Sequence, residues 1–218
     1  MKYIKEYNEY INDNFKKWFG NSKVVDEKGN PIIVYHGTNK DFDDFNSTKF
    51  TTSGYFAKDP KLASHISELV GGDSNVVPVY LSIQNPLDLS DITTGYSDIS
   101  PSELISKLPF ELDPHFKEKL LKFHPNPLFT YLGNVDFLEH IKNEGYDGII
   151  FHELTPDQTE IELDNGEVYK TVDIDTGITY IAFKPEQIKS ALGNNGNFNP
   201  NSKNINENNS IIGWVKTD

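Results

Sequence analysis

The sequence predicts an α+β domain of short strands, mostly in hairpins, with a helical insertion in the middle of the chain. Three observations lead there. β-Branched and aromatic residues gather in short runs bounded by Gly, Pro, Asn and Asp. Residues 100–144 instead carry apolar residues at spacings of three and four, between Pro-rich joints. The chain's 218 residues, 36% hydrophobic and 12% aromatic, suit one globular domain with its own core.

Element by element, Tyr3, Tyr7, Tyr10, Ile11, Phe15, Trp18 and Phe19 line one face of a helix over 3–19, which Gly20 closes. The runs Lys23–Val25 and Ile32–Tyr35 flank a Gly/Pro turn and read as a hairpin whose second strand leads into His36-Gly37-Thr38. A Phe-studded loop (Phe42, Phe45, Phe50) precedes Gly54-Tyr55-Phe56-Ala57 and a helix that starts near Pro60, a position where the missing N–H is harmless. Val77–Ile83 alternates as a strand that Asn85-Pro86 ends. Helices are expected at 102–108, 114–123 and 135–144, and a turn at Gly145–Gly148 leads into the strand Ile149–Phe151. Asp164-Asn165-Gly166 between residues 159–163 and 167–172 is a hairpin signal. A last strand runs from Ile178 to Phe183. The domain is expected over 1–192, with the insertion at about 100–144. Residues 193–218 form an Asn-rich tail, expected to be poorly ordered over 193–210.

The charge, 20 Lys+Arg against 33 Asp+Glu for a net −13, disfavours broad binding to nucleic acid phosphates. With no cysteine the chain has no disulfide framework, thiol nucleophile or thiolate metal site. The six histidines (36, 65, 115, 124, 140 and 152) show no metal-ligand spacing, so no metal is expected. No apolar run reaches the roughly 18 residues of a membrane span, and the first residues lack a signal-peptide apolar core. A cytoplasmic protein with no membrane partner is expected.

Single polar candidates say little. A histidine at a strand end is more often structural than catalytic, although Gly37 beside it lets a ligand approach the backbone. Gly54-Tyr55-Phe56 alone reads as a turn leading aromatic rings into the core. Glu160 and Glu162, at i and i+2, share one face of a strand and can share acid–base work, but a solvated hairpin face is the plainer reading.

The ordered set is more specific. Tyr35-His36-Gly37-Thr38, then Gly54-Tyr55-Phe56-Ala57 before a helix, residues 79–86, Gly145–Phe151, and Tyr180–Ser190 follow one another. In that order the chain resembles ADP-ribosyltransferases of the His-Tyr-Glu type, the branch of diphtheria toxin and the poly-ADP-ribose polymerases. It looks closest to the bacterial and phage group found in polyvalent proteins. Residues 15–26 and 194–200 share that likeness, which covers about 15–205 with 87–143 unmatched.

The resemblance implies a split β-sheet core whose cleft holds NAD, the substrate that supplies ADP-ribose, with no metal. His36 would hydrogen-bond a ribose hydroxyl, Gly37 would present its backbone to the nicotinamide carboxamide, and Thr38 would add a hydroxyl. Tyr55, following Gly54, would stack on the nicotinamide. The family usually places a glutamate just before the final strand's aromatic residue, where this chain has Thr179. A threonine cannot oppose a developing cation by charge. Three outcomes are open: transfer of single ADP-ribose units without that glutamate; a substitute at Gln187, Glu186 or Glu160/Glu162; or nucleotide binding without turnover. Thr51-Thr52-Ser53 and Glu160-Ile161-Glu162 faintly echo the superfamily's Arg-Ser-Glu type, but the strand that would carry its Arg ends in His36.

The resemblance therefore implies a mono-ADP-ribosyltransferase acting on a macromolecule, with a lapsed NAD- or ADP-ribose-binding domain and an NAD glycohydrolase as alternatives. The acceptor expected is a bacterial protein rather than a nucleic acid, and the family's phage association suggests a toxin or effector delivered into, or made within, a bacterial cell.

Overall fold

The computed structural model describes residues 12–38, 45, 54–69, 75–92, 98–162, 168–207 and 215–216, with backbone alone at 65–66, 68–69, 154–162, 168–176 and 215–216. The architecture is α+β, as expected. Helix α1 (Asp13–Phe19) is started by Asn12, whose side chain accepts the Phe15 amide at 2.9 Å, and is closed by Gly20 at φ +56°. It buries Phe15, Trp18 and Phe19. The Phe15 ring packs edge-on against Tyr80 and Phe198, at centroid separations of 4.9 and 5.0 Å. The earlier part of the expected helix, with Tyr3, Tyr7, Tyr10 and Ile11, lies outside the described residues.

The first hairpin is shorter than the sequence suggests. Asp26 folds the turn onto itself by accepting the amides of Lys28 and Asn30 (2.9 and 2.8 Å), and one bridge joins Val25 to Pro31. The Lys23 amide donates instead to the Ile83 carbonyl at 2.8 Å, and β1 runs from Val34 to Thr38.

The remaining strands are β2 (Tyr55–Ala57), β3 (Asn75–Leu81), β4 (Pro86–Leu89), β5 (Gly148–Glu162), β6 (Val168–Ala182), β7 (Ile188–Ser190) and β8 (Val215–Lys216). They form one sheet in the order β4-β5-β6-β2-β1-β3-β7, with β8 also on β3. Its pairs are antiparallel apart from β4 with β5. Pro86 was expected to end a strand but starts edge strand β4, a position that proline tolerates. The separate short strands expected around 149–163 and 167–183 are two long ones, and the Asp164-Asn165-Gly166 turn between them lies outside the described residues.

Helix α2 (Pro60–Leu69) packs on β1 and β3. The insertion holds α3 (Pro101–Lys107), α4 (Pro114–Leu120), α5 (Leu128–Leu132) and α6 (Val135–Asn143). Side chains of Ser100, Asp113 and Asn134 cap α3, α4 and α6. Helix α5 was not foreseen: its five residues are too few to show a period and no side chain caps it. Leu104, Leu132, Phe137 and Ile141 of these helices join Leu87, Ile149, Phe151 and Ile181 in one core, so the insertion covers a face of β4–β5–β6.

Residues 193–207 correct the expectation of a poorly ordered segment. The asparagines supply their own turns, with Asn194, Asn195, Asn199 and Asn204 each accepting the amide two residues on. Phe198 and Ile205 are buried among sheet and helix residues. Lys189, fully buried, donates to the Ser202 carbonyl at 2.9 Å and pairs with Glu207 at 2.6 Å. Removing one partner leaves an uncompensated buried charge. Lys189→Met is therefore expected to lose about 3–5 kcal/mol of stability, and Lys189→Met with Glu207→Gln to recover part of it, measured by urea unfolding.

Candidate active site

Strand β6 sets the geometry. Ala57 of β2, Thr179 of β6 and Phe151 of β5 lie in one cross-sheet row, and Tyr55, Ile181 and Ile149 in the next. Directly paired residues point to the same face. Tyr55, Thr179, Phe151 and Glu153 therefore share a face, and the Tyr55 ring meets Phe151 edge-on at 6.3 Å. Phe56 and Tyr180 occupy the opposite face, in the core with Val34, Val77 and Val79.

His36 belongs to that second face. Its ring lies 5.0 Å from Phe45 and 5.4 Å from Phe56, and its Nδ1 is 2.9 Å from the Tyr55 carbonyl oxygen. A carbonyl only accepts, so Nδ1 carries the proton, and a neutral ring then presents Nε2 as an acceptor. Burial pulls the His36 pKa below its ordinary value, against the opposing effect of the Tyr55 carbonyl. The structure thus links His36 to the backbone of Tyr55, while the two side chains face opposite ways.

Between them the sheet parts. Strand β1 pairs with β2 at Tyr35–Ala57, and the strands separate beyond it toward Gly37 and Tyr55. His36 bridges the gap by donating to the Tyr55 carbonyl. On its other side Gly37 continues the ladder opposite Val76, and Thr38 opposite Asn75. A Cβ on Gly37 would sit 1.8 Å from the Ala63 carbonyl oxygen of α2, so no other residue fits without moving that helix. Gly54 is buried, and its carbonyl accepts the Ala182 amide at 3.1 Å.

Thr179 is fully buried, and its hydroxyl donates to the Glu153 carboxylate at 3.0 Å. Glu153 escaped the sequence reading. A usable signal was there, since Ile149, Phe151 and Glu153 alternate on one face of a strand and bring a carboxylate onto an apolar surface. Burial raises the Glu153 pKa, and the Thr179 hydrogen bond opposes that rise. Burial, and then the charge of Glu153, hold the Tyr55 phenol far above its ordinary pKa.

Other candidates are not brought here. Gln187, in the 3-10 turn Pro185–Gln187, donates to the carbonyls of Ser82 and Asp147 (3.0 and 2.9 Å) and accepts the amides of Phe183 and Lys184 (3.0 and 2.8 Å). Its polar atoms fasten the Gly148 end of β5, roughly 16 Å of strand from Glu153. Glu186 sits in the same turn, where its carbonyl accepts the Trp18 indole at 3.0 Å. Glu160 and Glu162 stand opposite Lys170 and Val168, toward the far end of the β5–β6 hairpin. A depression of about 580 Å³ lies apart from the site, among Ile105, Phe110 and Leu112 of the insertion. Among the described residues no group of three or more His, Cys, Asp or Glu could hold a metal ion, and no helix is long and apolar enough to cross a membrane.

The buried imidazole has a pH signature. Because His36 titrates lower folded than unfolded, the unfolded chain takes up its proton first as the pH falls. Its contribution to stability is complete above about 6.5, the ordinary value, and is lost as the pH falls below it. His36→Gln is expected to remove that portion of the slope in urea melts taken between pH 5 and 8.

A family model described as "ADP-Ribosyltransferase in polyvalent proteins" matches residues 26–198, which include β1 with His36 and Gly37, β2 with Tyr55, and the β5–β6 pair with Glu153 and Thr179. Comparison with curated proteins and with solved structures found no match. With well over half of its length matched, and with the His-Gly and Tyr segments meeting where the sheet opens, the chain belongs to the ADP-ribosyltransferase family of polyvalent proteins.

Proposed function

We propose that the protein cleaves the nicotinamide–ribose bond of NAD and transfers a single ADP-ribose unit to a protein acceptor. The observation that carries this reading is the parting of β1 from β2. It leaves the side of Gly37 toward Tyr55 outside the strand ladder, at the one position of β1 where α2 excludes a side chain. A bare peptide N–H and C=O are the complementary pair for a carboxamide. The His36 Nε2 suits a ribose hydroxyl. Tyr55, which burial keeps protonated, presents an uncharged ring, and offset stacking on nicotinamide contributes about 0.5–1.5 kcal/mol beyond area burial. Gly54 and Thr38 complete the pocket at the two strand ends.

In the reaction, the bond from ribose C1′ to the nicotinamide nitrogen breaks with its electron pair staying on nitrogen. Positive charge builds on the ribose as in glycoside cleavage, and the acceptor's lone pair closes on C1′. Interactions stronger with that developing charge than with the ground state are what accelerate the step. A net charge of −13 supports a basic protein surface as acceptor over nucleic acid. On the family's association with polyvalent proteins, that acceptor is a bacterial protein met in the cytoplasm. A second reading, a lapsed NAD-binding domain, has one observation in its favour: an uncharged, fully buried Thr179 at the family's carboxylate position.

Incubation with NAD and a bacterial lysate, followed by mass spectrometry of free nicotinamide and of protein-bound ADP-ribose, separates these readings. Label is expected on protein and should fall roughly a hundredfold or more in His36→Ala. Nicotinamide without label would indicate hydrolysis. NAD binding without turnover would favour the lapsed domain, and absence of binding would overturn the reading.

A further inference from the structure

We propose that Glu153 is the catalytic carboxylate of this site, moved across the strand pair from position 179 to β5 and held in place by Thr179. The inference rests on the ADP-ribosyl transfer reading above and goes beyond it by naming the charged group. Four observations on the two strands converge. Phe151 pairs with Thr179 and Glu153 with Gly177, so Glu153 stands diagonal to Thr179 on the Tyr55 face. Opposite Glu153, Gly177 has no side chain, which leaves the carboxylate room to lean toward the Thr179 hydroxyl at 3.0 Å. The charge of Glu153 acts on the Tyr55 phenol. Finally, among the described residues no cation is paired with this partly buried carboxylate.

A carboxylate withdrawn from water without a cation is costly. NAD supplies the missing charge, first as the nicotinamide ring cation and then on the ribose as the bond to nicotinamide breaks. Ionised Glu153 favours that second position. When the acceptor's lone pair forms the new bond to C1′, the acceptor's proton passes to Glu153 and from there to water, so neutral nicotinamide and a proton are the by-products. Thr179 is the positioning residue.

Among the described residues, few groups act on Glu153. Burial raises its pKa and the Thr179 hydrogen bond lowers it. Among the described residues, Tyr55 of β2 is its titratable neighbour. A carboxyl that titrates higher folded than unfolded gives its stabilisation below 4.5, and loses it as the pH rises through the folded value. Glu153→Gln should therefore melt higher than wild type at pH 7 while turning over more slowly, a combination that a merely structural glutamate would not give.

The test is nicotinamide release from NAD over pH 5–9 by wild type, Glu153→Gln, Thr179→Val and the exchange Glu153→Thr with Thr179→Glu. The expected result is a roughly hundredfold lower kcat for Glu153→Gln, with KM for NAD little changed. For Thr179→Val the acid limb of the rate profile should move to higher pH, because the hydrogen bond that favours the ionised form is gone. The exchange should recover most of the lost rate and so shows that Glu153→Gln failed for want of charge rather than of folding. Wild-type turnover undiminished in Glu153→Gln overturns this assignment alone. Wild type that binds NAD without cleaving it also overturns the assignment, whereas wild type that neither binds nor cleaves NAD removes the transfer reading together with it.

Discussion

The register of β6 between β2 and β5 is the constraint on which the rest of this site depends. Side chains alternate faces along a strand, so a slip of one residue would send Thr179 away from Glu153 and bring Tyr180 into its place. Burial on both sides prevents it. Ile149, Phe151 and Ile181 are in contact with the helical insertion, while Tyr180 and Ala182 lie in the opposite core with Val79 and Leu81. Gly148 adds a steric pin, since a Cβ there would come within 2.7 Å of both the Ile181 carbonyl oxygen and the Ile83 side chain. The pairing that holds the two candidate reactive strands together is thus enforced by packing remote from the polar groups it positions.

A different kind of constraint shapes the other half of the site. Once β1 and β2 part, the Tyr55 carbonyl loses a ladder partner, and a buried carbonyl needs a replacement. His36 provides it, which fixes the imidazole in one tautomer, while burial favours its neutral form. The same parting leaves Gly37 without a partner on β2 among the described residues, while β3 pairs with its other edge and α2 leaves no room for a side chain. The His-Gly pair is therefore a structural repair of the split sheet and, on the function proposed above, the polar surface that meets a carboxamide and a hydroxyl.

Residues whose meaning is local were legible in the sequence. Gly37 after a β-branched run, Tyr55 after Gly54, and the helix that starts near Pro60 carry their structural reasons within a few positions. Features set by distant partners were not. The edge strand β4 follows a proline that normally ends a strand, and only its parallel pairing with β5 makes it one. The Asn-rich segment reads as disordered by composition, yet the buried Lys189–Glu207 pair and Phe198 hold it. Gln187 reads as a free polar group after a strand, but four backbone partners claim it. Glu153 and Thr179 are far apart in sequence, and only the cross-strand register joins them.

The central claim is that NAD occupies the opening between β1 and β2, and the most direct measurement is where its binding is felt. In protein labelled with ¹⁵N-glycine and ¹⁵N-tyrosine, titration with NAD should shift the Gly37, Gly54 and Tyr55 amides together. Gly133 and Tyr131, in the helical insertion, should stay in place. Shifts confined to the insertion, or none at saturating NAD, would contradict the account.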